Sequence, residues 1–149
     1  MNNHEIAAIL HELAIYEEMK GEEKFKPRAY EKAARSIESL QEELEVLYKE
    51  EGGINRLMEL PGIGKSIAQK IVELLTTGKL RHYEELKRAT PVDVVTLASI
   101  QGVGPKTVKT LYEELKITNI EELEKAAKQH KIRYFQVLEK ELNSKYLMG

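Results

Sequence analysis

LPGIGKSIAQKI stands at residues 60–71, and forty positions on, at residues 100–111, the chain reads IQGVGPKTVKTL. In both, an apolar residue precedes a turn of the form x-Gly-apolar-Gly, and a helical pattern follows. Glycines let a chain turn sharply and let a ligand approach the backbone with no Cβ in the way. A helix that starts at such a turn presents unpaired N–H groups and a partial positive charge, which favours an anion. One glycine turn between helices is a weak signal. Two copies framed by apolar residues at matching positions are a stronger one, and they predict two grips on phosphate with little dependence on base sequence. The bland alternative, a duplicated helix pair that only packs, does not explain why Lys65-Ser66 and Lys106-Thr107 stand where phosphate ligands belong. The candidate ligands are Gly62, Gly64, Lys65 and Ser66 in the first copy, and Gly102, Gly104, Lys106 and Thr107 in the second. The copies differ at one chemically important place, where Lys70 of the first is matched by Thr110 of the second.

The composition narrows the chemistry around this repeat. With 149 residues, 42% hydrophobic and 32% charged, the chain suits one compact domain or two small subdomains. No run approaches the roughly 18 apolar residues of a membrane span, and the N-terminal MNNHEIAAIL has no basic signal-peptide region. The plain expectation is a cytoplasmic protein with no membrane partner. Zero cysteines remove disulfides, thiolate zinc sites and cysteine nucleophiles together. A single aspartate, Asp93, against 24 glutamates offers no cluster of short carboxylates for two-metal phosphoryl transfer. His4, His11, His82 and His130 are scattered with no metal-binding spacing. The net charge of −2 hides an asymmetry: residues 1–55 carry 13 acids against 7 bases, whereas residues 56–90 carry 7 bases against 4 acids. Positive charge gathers around the first copy, although ordinary solvated helix faces would give a similar pattern.

Helical periodicity runs through the chain. Ile6, Ile9, Leu10 and Leu13 stripe a first helix, with Asn2 and Glu5 spaced as a capping box. A charged loop over 21–26 leads to a long helix after Pro27, carrying Tyr30, Ala33, Ala34, Ile37, Leu40, Leu44 and Leu47 and stopped by Gly52-Gly53. A short helix with Ile54, Leu57 and Leu60 then feeds the first glycine turn, and helices over 65–77 and 80–88 follow. Thr90-Pro91 reads as a helix restart, Thr as N-cap and Pro at the first helical position. Val108, Leu111, Tyr112 and Leu115 stripe the helix after the second turn, Thr118 or Asn119 caps the next, and a last helix carries Ile132, Phe135, Leu138 and Leu142. No segment alternates with period two for long enough to form a strand. The expected fold is all-α, with two helical subdomains at 1–88 and 91–149, each holding one copy of the turn.

On a helix at about 100° per residue, Ile67, Ala68, Ile71, Leu74 and Leu75 form one apolar arc, and Lys70 falls at its border beside Ser66 and Glu73. A border lysine half-desolvated against apolar neighbours has a lowered pKa, and cations such as Lys65 or Lys79 would push it the same way. A neutral amine attacks an aldehyde to form a Schiff base. Most border lysines simply snorkel from the helix edge, so periodicity alone leaves both readings open.

Three stretches together carry a resemblance: FKPRAYEKAARSI (25–37), LMELPGIGKSIAQKIVELLTTGKL (57–80) and IQGVGPKTVKTLYEEL (100–115). The repeated turn is similar to the helix-hairpin-helix motif. The order and spacing of the three stretches resemble the N-terminal region of family X DNA polymerases, over most of residues 5–128. The middle stretch is the most specific, because many helix-hairpin-helix proteins share the turn but not the continuation through TTGKL. The resemblance implies a DNA-repair module that binds gapped, nicked or abasic DNA. It places Lys70 at the Schiff-base lysine of a 5′-deoxyribose-phosphate lyase, which works by β-elimination and requires no metal. It also places Tyr30 in the sugar pocket and Lys26 at a phosphate ligand, with Arg28 a second cation at the same helix start. Two positions depart from the family pattern, since Ser66 and His82 stand where relatives carry lysines. By resemblance, too, the backbone carbonyls of Met58, Leu60 and Ile63, and of Ala98, Ile100 and Val103, bind Na⁺ or K⁺.

A family X polymerase continues into a palm with three catalytic aspartates, which a chain with one aspartate lacks. The sequence therefore reads either as the N-terminal piece of a longer polymerase or as a stand-alone DNA-gripping protein, with a palm in the same or another chain. Abundant Glu and Lys without Cys points to a heat-adapted prokaryote, and hence to the nucleoid. Two further function classes stay open at this point: a non-catalytic DNA-binding module that positions a duplex for a separate polymerase or nuclease, and a protein-interaction bundle with incidental glycine turns.

Overall fold

The computed structural model describes residues 1–129. Among them are nine α-helices and no strand, in two compact units, the first spanning Met1–Ala89 and the second beginning at Thr90. The expected helix over Ile132 to Leu142 lies outside the described residues.

The first unit opens with α1 (Asn3–Lys20), whose N-cap Asn2 accepts a hydrogen bond from the Glu5 N–H at 2.8 Å. Gly21, left-handed at φ 70°, ends it. Helix α2 (Phe25–Glu38) starts two residues before Pro27, because a proline in the first turn gives up only an N–H that has no helical partner. α1 and α2 lie against each other along Ile6, Leu10 and Leu13 on one side and Ala33, Ala34 and Ile37 on the other, all fully buried. Each buried Leu or Ile contributes about 1.5–3 kcal/mol.

The long helix expected after Pro27 is two helices. α2 stops at Glu38, and α3 spans Leu44–Lys49. The apolar spacing continues through the break, but Asn3 fixes it from elsewhere in the chain. The Asn3 side chain accepts from the Leu44 N–H (2.7 Å) and donates to the Glu42 carbonyl (2.9 Å), while its backbone N–H donates to the Glu43 carboxylate (2.8 Å). Ser39 turns its hydroxyl back onto the Ser36 carbonyl at 2.9 Å, favouring the stop.

Helix α4 (Ile54–Met58), the first glycine turn and α5 (Lys65–Thr77) form one hairpin, and α6 (Arg81–Ala89) closes the unit against α1. Gly78 caps α5 at φ 76°, and the Glu73 carboxylate accepts from the Arg81 N–H at 2.7 Å, ordering the start of α6. At the far end of the α1–α6 packing, Tyr83 donates a hydrogen bond to Glu12 and stacks obliquely on Tyr16 at 6.2 Å.

The second unit repeats the arrangement with α7 (Val94–Ala98), the second turn and α8 (Pro105–Leu115), followed by α9 (Ile120–Lys128) capped by Asn119. The restart does not fall at Thr90-Pro91. Residues 90–93 are held non-helical, since the Asp93 N–H donates to the Thr118 carbonyl (2.8 Å) and Val92 is buried. Asp93 itself caps α7 by accepting from the Thr96 N–H (3.3 Å).

Candidate functional site

The two turns are near copies in backbone geometry as well as in sequence. Gly62 and Gly102 are left-handed, at φ 78° and 87°. The Ile63 and Val103 N–H groups donate to the Leu60 and Ile100 carbonyls at 3.1 and 2.9 Å, closing the turns. Leu57, Ile63, Ala68 and Ile71 are buried in the first hairpin, and Leu97, Val103, Val108 and Leu111 hold the same places in the second. At Gly62 the φ value calls for glycine, and an added Cβ would also meet the Lys32 side chain at 3.1 Å.

Gly64 and Gly104 call for a different explanation. Their φ values of −86° and −100° suit any residue, and a Cβ built on either meets nothing of this chain within 4 Å. Neither residue has a side chain to cap its helix, so the first-turn N–H groups of α5 and α8 are left facing the open space above each glycine. In the second copy Pro105 occupies the first helical position and removes one donor.

In the first unit the turn forms one wall of a cleft of about 380 Å³, lined by Gly62, Gly64, Lys65, Ser66 and Ile67 from the turn and α5, and by Lys26, Ala29 and Tyr30 from α2. Six of the sequence-predicted residues of this half (Lys26, Tyr30, Gly62, Gly64, Lys65 and Ser66) therefore meet at one surface. Arg28 is exposed on the same first turn of α2 but does not line the cleft. Tyr30 is buried, and burial first, then the charges of Glu17 and Glu23, push its hydroxyl up to about 12, so it keeps its proton at neutral pH. In the second unit Gly102, Gly104 and Lys106 sit at the turn, with Lys106 exposed and Thr107 half-buried.

Lys70 stands one turn along α5 from the cleft, half-buried, its ammonium donating to the Ser66 hydroxyl at 3.1 Å. Its pKa is lowered, by burial above all and then by the Lys26 charge, while Glu17 and Glu73 oppose the shift. The cation acting on it comes from α2, not from Lys65 or Lys79 as the local sequence led one to expect. At the matching place in the second copy the Thr110 hydroxyl donates back to the Lys106 carbonyl at 3.0 Å. At this position only the first copy holds an amine.

Glu17 is the residue that sequence reading overlooked. It is 2% exposed, the one fully buried charged side chain among the described residues, and its carboxylate lies 3.2 Å from His82 Nε2 on α6. A signal was present: Ile6, Leu10, Leu13 and Glu17 fall on a single stripe of α1, where an apolar residue is the norm. Glu17 acts electrostatically on both Tyr30 and Lys70 and so ties α1, α2, α5 and α6 to one locality. No grouping of three or more His, Cys, Asp or Glu side chains suited to a metal occurs among the described residues.

Comparison with known sequences agrees with this geometry. A helix-hairpin-helix domain model matches residues 1–80, and a tandem helix-hairpin-helix model matches 56–118 and 94–132. The chain belongs to the helix-hairpin-helix family. It is homologous to the family X DNA polymerases, being 32% identical over 133 residues (89% of this chain) to the DNA polymerase/3′-5′ exonuclease PolX of Bacillus subtilis. It is also 40% identical over 62 residues (41% of the chain) to DNA polymerase lambda of Arabidopsis thaliana, and 27% over 92 residues (62%) to that of Rattus norvegicus. The matched regions cover 22%, 12% and 15% of these relatives, so the chain corresponds to a fraction of their length.

Proposed function

We propose that this chain binds DNA at gaps, nicks or abasic sites through its two glycine turns, and that Lys70 is the Schiff-base nucleophile of a 5′-deoxyribose-phosphate lyase. The observation that carries the binding half is the pair Gly64 and Gly104. Both are glycines that nothing within the chain requires, each below uncapped helix N–H groups, so a ligand that comes close to the backbone accounts for them. Lys26, Lys65 and Lys106 supply cations for further phosphate contacts, which position the duplex without reading its sequence.

The lyase half rests on Lys70. Burial and Lys26 raise its neutral fraction, and Ser66 holds its nitrogen at the edge of a cleft wide enough for a sugar phosphate. The amine attacks C1′ of the open-chain sugar, and loss of water gives the iminium. Loss of the C2′ proton follows, the C3′–O bond breaks, and the DNA leaves with its 5′-phosphate. Water then releases the unsaturated aldehyde and restores the amine. The carbonyls of Met58, Leu60 and Ile63, and those of Ala98, Ile100 and Val103, would hold a monovalent cation that neutralises part of the bound phosphate charge. Within the cell we place this activity in the cytoplasm, at the nucleoid, in cooperation with a polymerase palm in the same or another chain.

Borohydride trapping tests the reading. On nicked duplex DNA bearing a 5′-deoxyribose phosphate, the wild type yields a covalent adduct and Lys70→Ala yields none. An adduct that persists in Lys70→Ala moves the nucleophile elsewhere, Lys65 first. The absence of any adduct despite salt-sensitive binding to gapped DNA favours the second reading, a non-catalytic module. That reading has its own motive in Ser66 and His82, which replace lysines of the relatives' pattern.

A further inference from the structure

The proposed reaction needs a group to take the C2′ proton, and the residues around Lys70 restrict the choice. Tyr30 keeps its proton, and Lys26 and Lys65 are cations. Ser66 already accepts from Lys70. Glu73 spends one oxygen on the Arg81 N–H at 2.7 Å, which turns that end of its carboxylate toward the start of α6. Glu17 is enclosed, with its side chain only 3% exposed, and so cannot meet a substrate arriving from solvent.

Its hydrogen-bond partner can. The His82 side chain is 33% exposed, and its Nε2 lies 3.2 Å from the Glu17 carboxylate. A carboxylate that accepts from Nε2–H selects the tautomer of a neutral imidazole whose lone pair sits on Nδ1. A buried carboxylate that orients an imidazole is the arrangement that recurs where histidine acts as a general base. Glu17 is also the shared neighbour of Lys70 and Tyr30, which brings the imidazole's anchor to the nucleophile's locality.

Building on the lyase reading, we infer that His82 is the general base of the elimination and Glu17 the residue that positions it. His82 Nδ1 takes the C2′ proton of the Lys70 iminium. The C2′–H electron pair becomes the C1′–C2′ double bond of the enamine, and the C3′–O bond then breaks with its electrons leaving on the phosphate oxygen. The imidazolium gives up its proton to solvent before the next turnover. A histidine at this position thus performs a step for which a lysine, mostly protonated at neutral pH, is poorly suited.

The test separates iminium formation from elimination, using His82→Ala, the near-isosteric Glu17→Gln and the wild type on the same nicked substrate. Borohydride trapping reads the iminium, and release of 5′-phosphorylated DNA reads the elimination. His82→Ala is expected to keep its trapping yield while release falls about 100-fold. Added imidazole is expected to restore part of that release, a rescue that a merely structural role would not produce. Glu17→Gln, which no longer selects the tautomer, is expected to slow release without loss of trapping. Unchanged release in His82→Ala overturns the assignment, as does a loss that affects trapping and release equally and resists imidazole. A wild type that forms no adduct overturns the lyase reading first and this inference with it.

Discussion

Replacing Gly64 with alanine separates a ligand's requirement for glycine from the fold's. Its φ of −86° is open to alanine, and the new methyl meets nothing within 4 Å. Two small terms act on stability. Alanine restricts the unfolded chain, a gain of about 0.4–1 kcal/mol. As an N-cap it is poorer than glycine, a loss of about 0.5–1 kcal/mol. They nearly cancel, so the melting temperature should stay within a few degrees, at about 4–8 °C per kcal/mol for a unit of this size. Binding should respond differently, because the methyl projects into the space above the free N–H groups and keeps a phosphate away. Losing one charge-assisted hydrogen bond costs about 1.5–3 kcal/mol, or roughly a 10- to 100-fold rise in Kd for gapped DNA. Gly62→Ala is the contrasting control. Its φ of 78° and the Lys32 side chain at 3.1 Å predict a loss of about 1–2 kcal/mol in stability, hence a clear fall in melting temperature. The assay is anisotropy with a labelled gapped duplex, read beside thermal melts of the same samples. Wild-type affinity in Gly64→Ala and in Gly104→Ala would refute the reasoning, because a methyl in each phosphate approach would then have made no difference.

Two further substitutions probe charge. Lys26→Gln removes the principal cation acting on Lys70, so the Lys70 pKa rises toward its ordinary value and the pH profile of borohydride trapping moves to higher pH; an unmoved profile would place Lys26 outside the nucleophile's field. His11 lies between two carboxylates of α2, with Nδ1 3.1 Å from Glu31 and Nε2 3.0 Å from Glu38, and only the imidazolium donates to both. Burial opposes its charge, but the hydrogen bonds to Glu38 and Glu31 outweigh that and raise its pKa above the usual 6.5. Because the raised value belongs to the folded state, the stabilisation is complete below pH 6.5 and is lost as pH climbs through the folded pKa. Chemical denaturation from pH 5.5 to 8.5 should show this decline in the wild type and a flatter profile in His11→Gln.

The glycine turns, the helix after each and the border position of Lys70 were legible because they are local. A period of 3.6 and a glycine pair are written in consecutive residues, and so is the cap at Asn2; of the two candidates Thr118 and Asn119, it is Asn119 that caps α9. What escaped depends on partners far along the chain. The break between α2 and α3 is fixed by Asn3, some forty residues upstream, and the apolar spacing runs through it unchanged. The non-helical stretch before α7 depends on Thr118, and so the start signal at Thr90-Pro91 loses to Asp93. Within the site, Lys26 reaches Lys70 from another helix, and Glu17 meets His82 across 65 positions of sequence. The misplaced glutamate on the stripe of α1 was the one visible trace of that pair.

Pro105 makes the two turns unequal toward an anion. The first-turn donors of α5 come from Lys65, Ser66 and Ile67, whereas α8 begins with a residue that has no hydrogen to give. The two otherwise matched turns are thus unequal anchors. On the proposed DNA-binding reading, a phosphate at the second turn finds one backbone donor fewer than at the first. An asymmetry between two otherwise repeated turns thus follows from one residue's missing hydrogen.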